Sequence, residues 1–344
     1  MGRNKYIDYL KAVAIIFVII THNEIDFQTR INILTPLWIS MAVPIFMVIS
    51  GMNFSASVSR SQISSIRGWY TVKNLVPRFK RILIPYLLVV VAEVLYLIIR
   101  RGASISFGSF MEHLVVGGYG PGSYYTPILI QFFIIFPLCY FAMKNDKIVG
   151  GMFIIALNII FELIIHYYNI DTEIYRLLIF RYLAYIVFGV YIFQSIKENK
   201  AISKPFLVIS FCIGLLYLLI TRYLGYKPTL LTYWSNTAFP AAFYVFPIIY
   251  MVIRLKQSDR VSLLGKYFAL IGKASYHIFL IQMAYFYFGA DGKFPTPYTI
   301  IVSVVLCVNI GILFYLAETK WIRLLFRKRK PQVISSSNSD ELSA

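Results

Sequence analysis

The stretch ILIPYLLVVVAEVLYLII, residues 82–99, decides the fold of this protein. It is a continuous apolar run with a single charged residue, Glu93. A bilayer core about 30 Å thick is crossed by roughly 20 apolar residues in a helix. A helix is required because backbone that faces lipid must satisfy its own hydrogen bonds. The run therefore predicts a transmembrane helix.

Nine further runs of this kind flank it, and the composition agrees with them. Of the 344 residues, 59% are hydrophobic and 14% charged, with a mean hydropathy of +0.70, far from the composition of a soluble domain. The runs lack the two-residue alternation of outer-membrane barrel strands. We predict further helices near residues 7–27, 34–57, 124–143, 148–168, 175–195, 203–222, 236–254, 267–289 and 298–318.

The sequence thus predicts an all-α, polytopic membrane helical bundle of about ten transmembrane helices. We expect one transmembrane domain over residues 1–326, followed by a basic and then Ser-rich tail over residues 327–344. The formal net charge of +18 comes from Lys and Arg residues concentrated in alternate breaks between the apolar runs. Because cytoplasmic loops are enriched in Lys and Arg, both termini are predicted to be cytoplasmic. This distribution argues against nucleic acid as a partner.

His22 is the first candidate for chemistry, because ionisable groups inside a membrane helix are costly. A desolvated imidazole in the outer half of the first helix is able to accept a proton; the alternative is a histidine that only hydrogen-bonds a neighbouring helix. Lys11 precedes it by eleven residues, which returns to within about 20° of the same helix face and spans roughly 16 Å. Asp8 is placed to hold the Lys11 ammonium, although a snorkelling lysine with its counter-ion would look the same.

Arg78 and Arg81 form a second cluster, three residues apart at the predicted start of the third helix. Guanidinium pairs with this spacing suit bidentate capture of phosphate, and positive-inside anchoring is the alternative. The membrane-embedded Glu93, Glu162 and Arg181 are interpreted as internal ion pairs that fix helix packing. The three cysteines share no metal-ligand spacing, so no metal site is expected.

These residues, in this order, resemble the acyltransferase 3 family of integral membrane acyltransferases over essentially the whole chain. The family's Arg, ten residues, then His is present here as Lys11 to His22, and its Arg-x-x-Arg as Arg78 and Arg81. The segments 43–51, 84–86 and 124–129 are similar to further signatures of the family. Two departures are the Lys at position 11 and Gln282, which stands where many members have a second His.

The resemblance implies that an acyl group, expected to be acetyl, moves from acetyl-CoA or another acyl-CoA to a hydroxyl of an envelope or exported polysaccharide. The acyl-CoA would be a co-substrate, with no bound cofactor. His22 would act as general base or as a transient acyl-histidine. The donor phosphates would be bound by Arg78, Arg81 and Lys11, with Asp8 and Glu93 in support.

The expected setting is the cytoplasmic membrane of a bacterium, with the bilayer, acyl-CoA, the glycan acceptor, and a glycan synthase or export machinery as partners. Two alternatives stay open. One is an exporter or flippase for a polysaccharide or lipid-linked sugar that performs no acyl transfer. The other is an assembly partner of a glycan synthase that binds neither donor nor acceptor.

Overall fold

A computed structural model describes residues 4–223, 233, 237–256, 262–289 and 296–325, and all regular structure within them is helical. The tail predicted for residues 327–344 lies outside the described residues. Fourteen α-helices follow one another in the described chain. They are α1 Lys5–Thr21, α2 Phe27–Asn32, α3 Ala42–Arg60, α4 Ile66–Trp69, α5 Val72–Arg101, α6 Phe107–Val116, α7 Tyr125–Asn145, α8 Lys147–Tyr167, α9 Thr172–Leu177, α10 Leu183–Lys197, α11 Lys204–Arg222, α12 Ala242–Arg254, α13 Leu263–Tyr287 and α14 Thr296–Leu325.

The protein is a multi-pass membrane protein. Seven helical segments of the described chain are long and apolar enough to cross a membrane: Thr35–Arg60, Val72–Arg100, Tyr125–Asn145, Lys147–Tyr167, Ile179–Lys197, Lys204–Arg222 and Pro297–Trp321. This is fewer than the ten predicted. The remaining three predicted segments correspond to α1 and α12, which are short, and to α13, whose Lys273, His277 and Gln282 make it less apolar.

The third predicted helix is much longer than the sequence suggested. It begins at Val72 instead of residue 82 and continues through Pro77 and Pro85. Its first turns carry charged residues, so a search by apolar length interprets them as a loop. Arg78 and Arg81 therefore lie inside α5. The prediction that these two residues stand at the start of the helix was wrong.

Other boundaries differ where the chain turns. The first predicted helix ends at Thr21, six residues earlier than expected. The second is preceded by two 3₁₀ turns, after Leu34 adopts a left-handed backbone conformation with φ of 58°. The sixth is broken, because α9 is joined to α10 through the 3₁₀ turn Ile179–Tyr182.

Two groups of helices make up the core. Buried apolar side chains of α3, α7, α8, α10 and α12 form one cluster, and those of α1, α5, α13 and α14 form the other. Glycines allow the closest approaches: a Cβ at Gly189 of α10 would lie 2.2 Å from the carbonyl oxygen of Val48 in α3, and one at Gly272 of α13 would lie 1.9 Å from that of Asp8 in α1. Any larger residue would push these helix pairs apart.

Candidate functional site

A large cavity lies where the two groups of helices meet. Its volume is about 1680 Å³, and α1, α3, α5, α7, α10, α13 and α14 contribute to its walls. Five of the six residues that the sequence singled out line it. They are His22, Lys11, Asp8, Arg78 and Arg81. The structure thus brings together residues that lie up to 73 positions apart in the chain.

One end of the cavity is rich in positive charge. Seven of the described Lys and Arg side chains line the cavity as a whole, against two carboxylates, those of Asp8 and Glu318. The cations are Lys11, Arg60, Arg78, Lys80, Arg81, Lys197 and Lys273. A concave surface with this excess of one charge concentrates anions, so this end is suited to an anionic ligand. Arg60 and Lys197 were not among the predicted site residues, because each ends a helix, where positive-inside anchoring explains it equally well. Lys273, inside α13, was not predicted either.

Arg78 is held in place by three groups. Its guanidinium donates hydrogen bonds to Ser57 Oγ at 2.8 Å and to the carbonyl oxygen of Asn74, and its Cζ lies 4.3 Å from the centre of the Trp69 ring. Trp69 is fully buried, and its Nε1–H donates to the carbonyl oxygen of Phe133 at 2.9 Å. Such a guanidinium is pre-organised, so binding a phosphate costs little side-chain entropy.

Lys11 and Asp8 lie on the neighbouring wall of the cavity. The Lys11 Nζ is 3.5 Å from Asp8 Oδ1, and the Asp8 side chain is buried. The predicted pairing of these two residues is therefore observed. Because Asp8 also packs its backbone against Gly272, the carboxylate is fixed between α1 and α13 and holds the Lys11 ammonium at the cavity wall.

His22 lies where α1 ends, at the other end of the cavity. Its backbone N–H caps the helix by donating to Ile19, and the Phe286 ring lies with its centre 6.1 Å from that of the imidazole. Within the described part of the chain, no group hydrogen-bonds the imidazole. The ring is therefore able to accept a proton from a bound molecule, which is the property that a general base requires.

A glycine-rich connection, residues 117–124 between α6 and α7, passes over His22. It follows α6, and its backbone has positive φ at Gly117, Gly118 and Gly122. Gly122 comes so close that a Cβ there would lie 3.4 Å from His22 Nε2. The segment is rich in glycine, but nothing in the sequence indicates that it contacts the first helix.

Glu93 is the sixth predicted residue, and it does not line the cavity. It is fully buried on α5, where its Oε2 accepts a hydrogen bond from the backbone N–H of Tyr119 at 3.1 Å. It therefore anchors the glycine-rich connection beside His22. The ion pair predicted for Glu93 is absent from the described residues.

The internal ion pairs predicted for Glu162 and Arg181 are likewise not formed within the described part of the chain. Glu162 accepts a hydrogen bond from the Tyr175 hydroxyl at 2.9 Å. Arg181 donates to Thr237 Oγ1 at 2.7 Å, and its guanidinium lies over the rings of Tyr175 and Tyr182. Aromatic residues thus take the place of the expected counter-charge.

The cavity wall holds a further pair of residues whose contact was not predicted from the sequence. His277 on α13 hydrogen-bonds Glu318 on α14 through Nε2 and Oε2, and both residues are buried and line the cavity. The two residues are 41 positions apart, so no spacing pattern connects them. The available signal was the unusual depth of His277 in its predicted helix.

The fold and this cavity define a helical multi-pass membrane protein with a cation-lined internal site. A family model described as an acyltransferase domain matches residues 4–318, nearly the whole chain. The chain belongs to the acyltransferase 3 family, and the predicted resemblance is confirmed. No curated protein and no solved structure matches the sequence. Family membership supports the class of a membrane acyltransferase.

Proposed function

We propose that the protein transfers an acyl group, acetyl in the first instance, from acyl-CoA to a hydroxyl of a cell-envelope or exported polysaccharide. The observation that carries this proposal is that one cavity is lined both by the cation cluster of Lys11, Arg78 and Arg81 and by His22. A site for an anionic donor and a proton acceptor would therefore share one cavity.

The length of the path fits the donor. Lys11 and His22 are eleven residues apart on one helix, a rise of about 16 Å. The pantetheine arm of coenzyme A is of comparable length. With its phosphates at the cations, acyl-CoA would present its thioester near the imidazole. A free acyl phosphate is too short to contact both ends.

The donor phosphates would bind first at Arg78, whose guanidinium is already fixed by Trp69 and Ser57. Arg81 and Lys11 would supply further positive charge at the same end of the cavity. Charge-assisted hydrogen bonds to phosphate are among the stronger polar contacts in proteins. Asp8 would keep Lys11 in position.

His22 would act as the general base. As the acceptor hydroxyl oxygen attacks the thioester carbonyl, the imidazole takes the hydroxyl proton and a C–O bond forms. When the tetrahedral intermediate collapses, the C–S bond breaks, and the imidazolium returns the proton to the departing thiolate. The products are the O-acylated glycan and coenzyme A with its free thiol, so the base is regenerated in each cycle.

The membrane arrangement follows from the same proposal. Ten crossings, by α1, α3, α5, α7, α8, α10, α11, α12, α13 and α14, would place both termini and the cation-rich end in the cytoplasm, where acyl-CoA is made. His22 and the glycine-rich connection would then face the outer side, from which an envelope glycan approaches. The setting would be a bacterial cytoplasmic membrane, and a glycan synthase or export machinery would supply the acceptor.

The test is transfer of radiolabel from acetyl-CoA, labelled in the acetyl group, to the envelope glycan in membranes that contain the protein. Label transfer is expected in wild type and in His166→Ala, a control at an exposed histidine remote from the cavity. It should be lost in equally abundant His22→Ala and in Arg78→Ala/Arg81→Ala. Glycan export without label in any sample would favour the exporter, and transfer by His22→Ala at the wild-type rate would remove His22 from the mechanism.

A further inference from the structure

The His277–Glu318 pair has two buried polar atoms that the described residues leave without a hydrogen-bond partner. They are His277 Nδ1 and Glu318 Oε1. His277 is 5% exposed and Glu318 9%, and both line the cavity that contains His22. A buried polar atom without a partner costs about 1–3 kcal/mol, so a ligand in the cavity that supplies these partners gains affinity.

A purely structural role as a link between α13 and α14 does not account for the pair. These helices already pack closely without it, since a Cβ at Gly311 of α14 would lie 2.5 Å from the Cα of Ile278. A structural pair would also be expected to satisfy all of its polar atoms. Instead, the unpartnered atoms belong to residues of the cavity wall.

The depth of the pair places it between the two ends of the cavity. Gly272 contacts Asp8, and Phe286 faces His22, so α13 runs alongside α1 in the same direction. His277 is five residues beyond Gly272 and nine before Phe286, which correspond to about 7 and 14 Å along the helix. A ligand that extends from the cations to His22 must pass this point.

The chemistry of the pair selects an uncharged part of the ligand. The Glu318 carboxylate repels phosphate, so the phosphates cannot lie beside it. When the neutral His277 ring carries its proton on Nε2 and donates a hydrogen bond to Oε2 of the Glu318 carboxylate, Nδ1 has a free lone pair and is an acceptor. Nδ1 and Oε1 together then accept two hydrogen bonds, and the pantetheine arm of coenzyme A offers a hydroxyl and two amide N–H groups.

We propose that His277 and Glu318 bind the pantetheine arm of the acyl donor and so make the site specific for pantetheine thioesters. This inference rests on the proposed function, because it assumes acyl-CoA as the donor. It assigns the pair to donor binding and positioning, and leaves proton transfer to His22.

The test compares coenzyme A with adenosine 3′,5′-bisphosphate, which lacks the arm, as ligands of the full chain in lipid nanodiscs. Wild type should bind coenzyme A more tightly. His277→Phe and Glu318→Met should each weaken coenzyme A binding about tenfold, as expected for one lost hydrogen bond to a buried group. Binding of the bisphosphate should change less than about twofold.

Matched controls are His166→Phe and Glu173→Met, at exposed positions outside the cavity, which should leave both affinities unchanged. If Glu318→Met fails to fold, Glu318→Gln serves as a milder variant, with about a threefold loss for coenzyme A alone. Equal weakening of both ligands, or unchanged coenzyme A binding in folded variants, would overturn the inference while leaving the proposed function intact. Wild type that binds no coenzyme A would overturn both.

Discussion

Gly122 lies directly against the imidazole of His22. A Cβ on Gly122 would be 3.4 Å from His22 Nε2 and 3.3 Å from the Phe279 ring, and the backbone φ of +85° disfavours any residue with a side chain. The backbone conformation therefore favours glycine here, and a Cβ would fill the space between Nε2 and the Phe279 ring. The connection that carries Gly122 sets how closely a molecule can approach the candidate base.

Gly122→Ala is expected to reduce acyl transfer about tenfold or more, because the methyl group narrows the approach to Nε2 and strains the backbone. Coenzyme A binding should stay within about twofold of wild type, since the cations are at the other end of the cavity. Gly108→Ala is the control, on α6 just before the connection, where a Cβ has no neighbour closer than 3.9 Å. Label transfer measures the acyl-transfer rate, and equilibrium binding measures the affinity for coenzyme A. A Gly122→Ala protein that transfers label at the wild-type rate would show that the close approach of Gly122 to His22 is not needed for acyl transfer.

Arg78→Ala is expected to raise the KM for acetyl-CoA by about 10- to 100-fold, the range for loss of a charged hydrogen-bond partner. Arg78→Lys keeps the charge but loses the guanidinium fork and its contact with Trp69, so an increase of several fold is expected. Lys73→Ala removes an exposed cation from the first turn of the same helix and should leave KM unchanged. The KM values are measured from initial rates at varied acetyl-CoA concentrations. Equal KM values for Arg78→Ala and Lys73→Ala would remove Arg78 from donor binding.

The sequence predicted the helical architecture well where apolar length is the deciding property. Each of the ten predicted segments corresponds to a helix in the described chain. The start of α5 was missed because its first turns are charged. Contacts distant in sequence stabilise them: Arg78 donates a hydrogen bond to Ser57 on α3, and Trp69, which lies against Arg78, donates one to the Phe133 carbonyl on α7.

The candidate site was predictable only in part, for a similar reason. Helix periodicity placed Lys11 and His22 on one face, and family-like motifs added Arg78 and Arg81. The contact between Gly122 and His22 and the bond between His277 and Glu318 join segments far apart in the chain. Such contacts depend on how α1, α5, α13 and α14 pack together. Apolar length and helix periodicity do not determine this packing.

Glu93→Ala is expected to lower kcat about tenfold while leaving the KM for acetyl-CoA within about twofold, because it frees the Tyr119 N–H and loosens the connection that carries Gly122. Glu93→Gln keeps an acceptor oxygen and should have a smaller effect. Glu112→Ala, at an exposed glutamate on α6, is the control. Limited proteolysis should cut the connection faster in Glu93→Ala alone. Unchanged proteolysis together with reduced kcat would mean that Glu93 acts in another way.

The proposed topology predicts opposite sides for the two ends of α10. Single cysteines at Asn169, between α8 and α9, and at Glu198, after α10, are introduced after Cys139, Cys212 and Cys307 have been replaced. With both termini cytoplasmic, a membrane-impermeant thiol reagent should label position 169 in intact cells and position 198 only after permeabilisation. This pattern would place the cation-rich end of the cavity in the cytoplasm, since Lys197 lies in its wall beside Glu198. The reverse pattern would put the donor cations outside the cell, where acyl-CoA is absent, and the proposed direction of transfer would then be wrong.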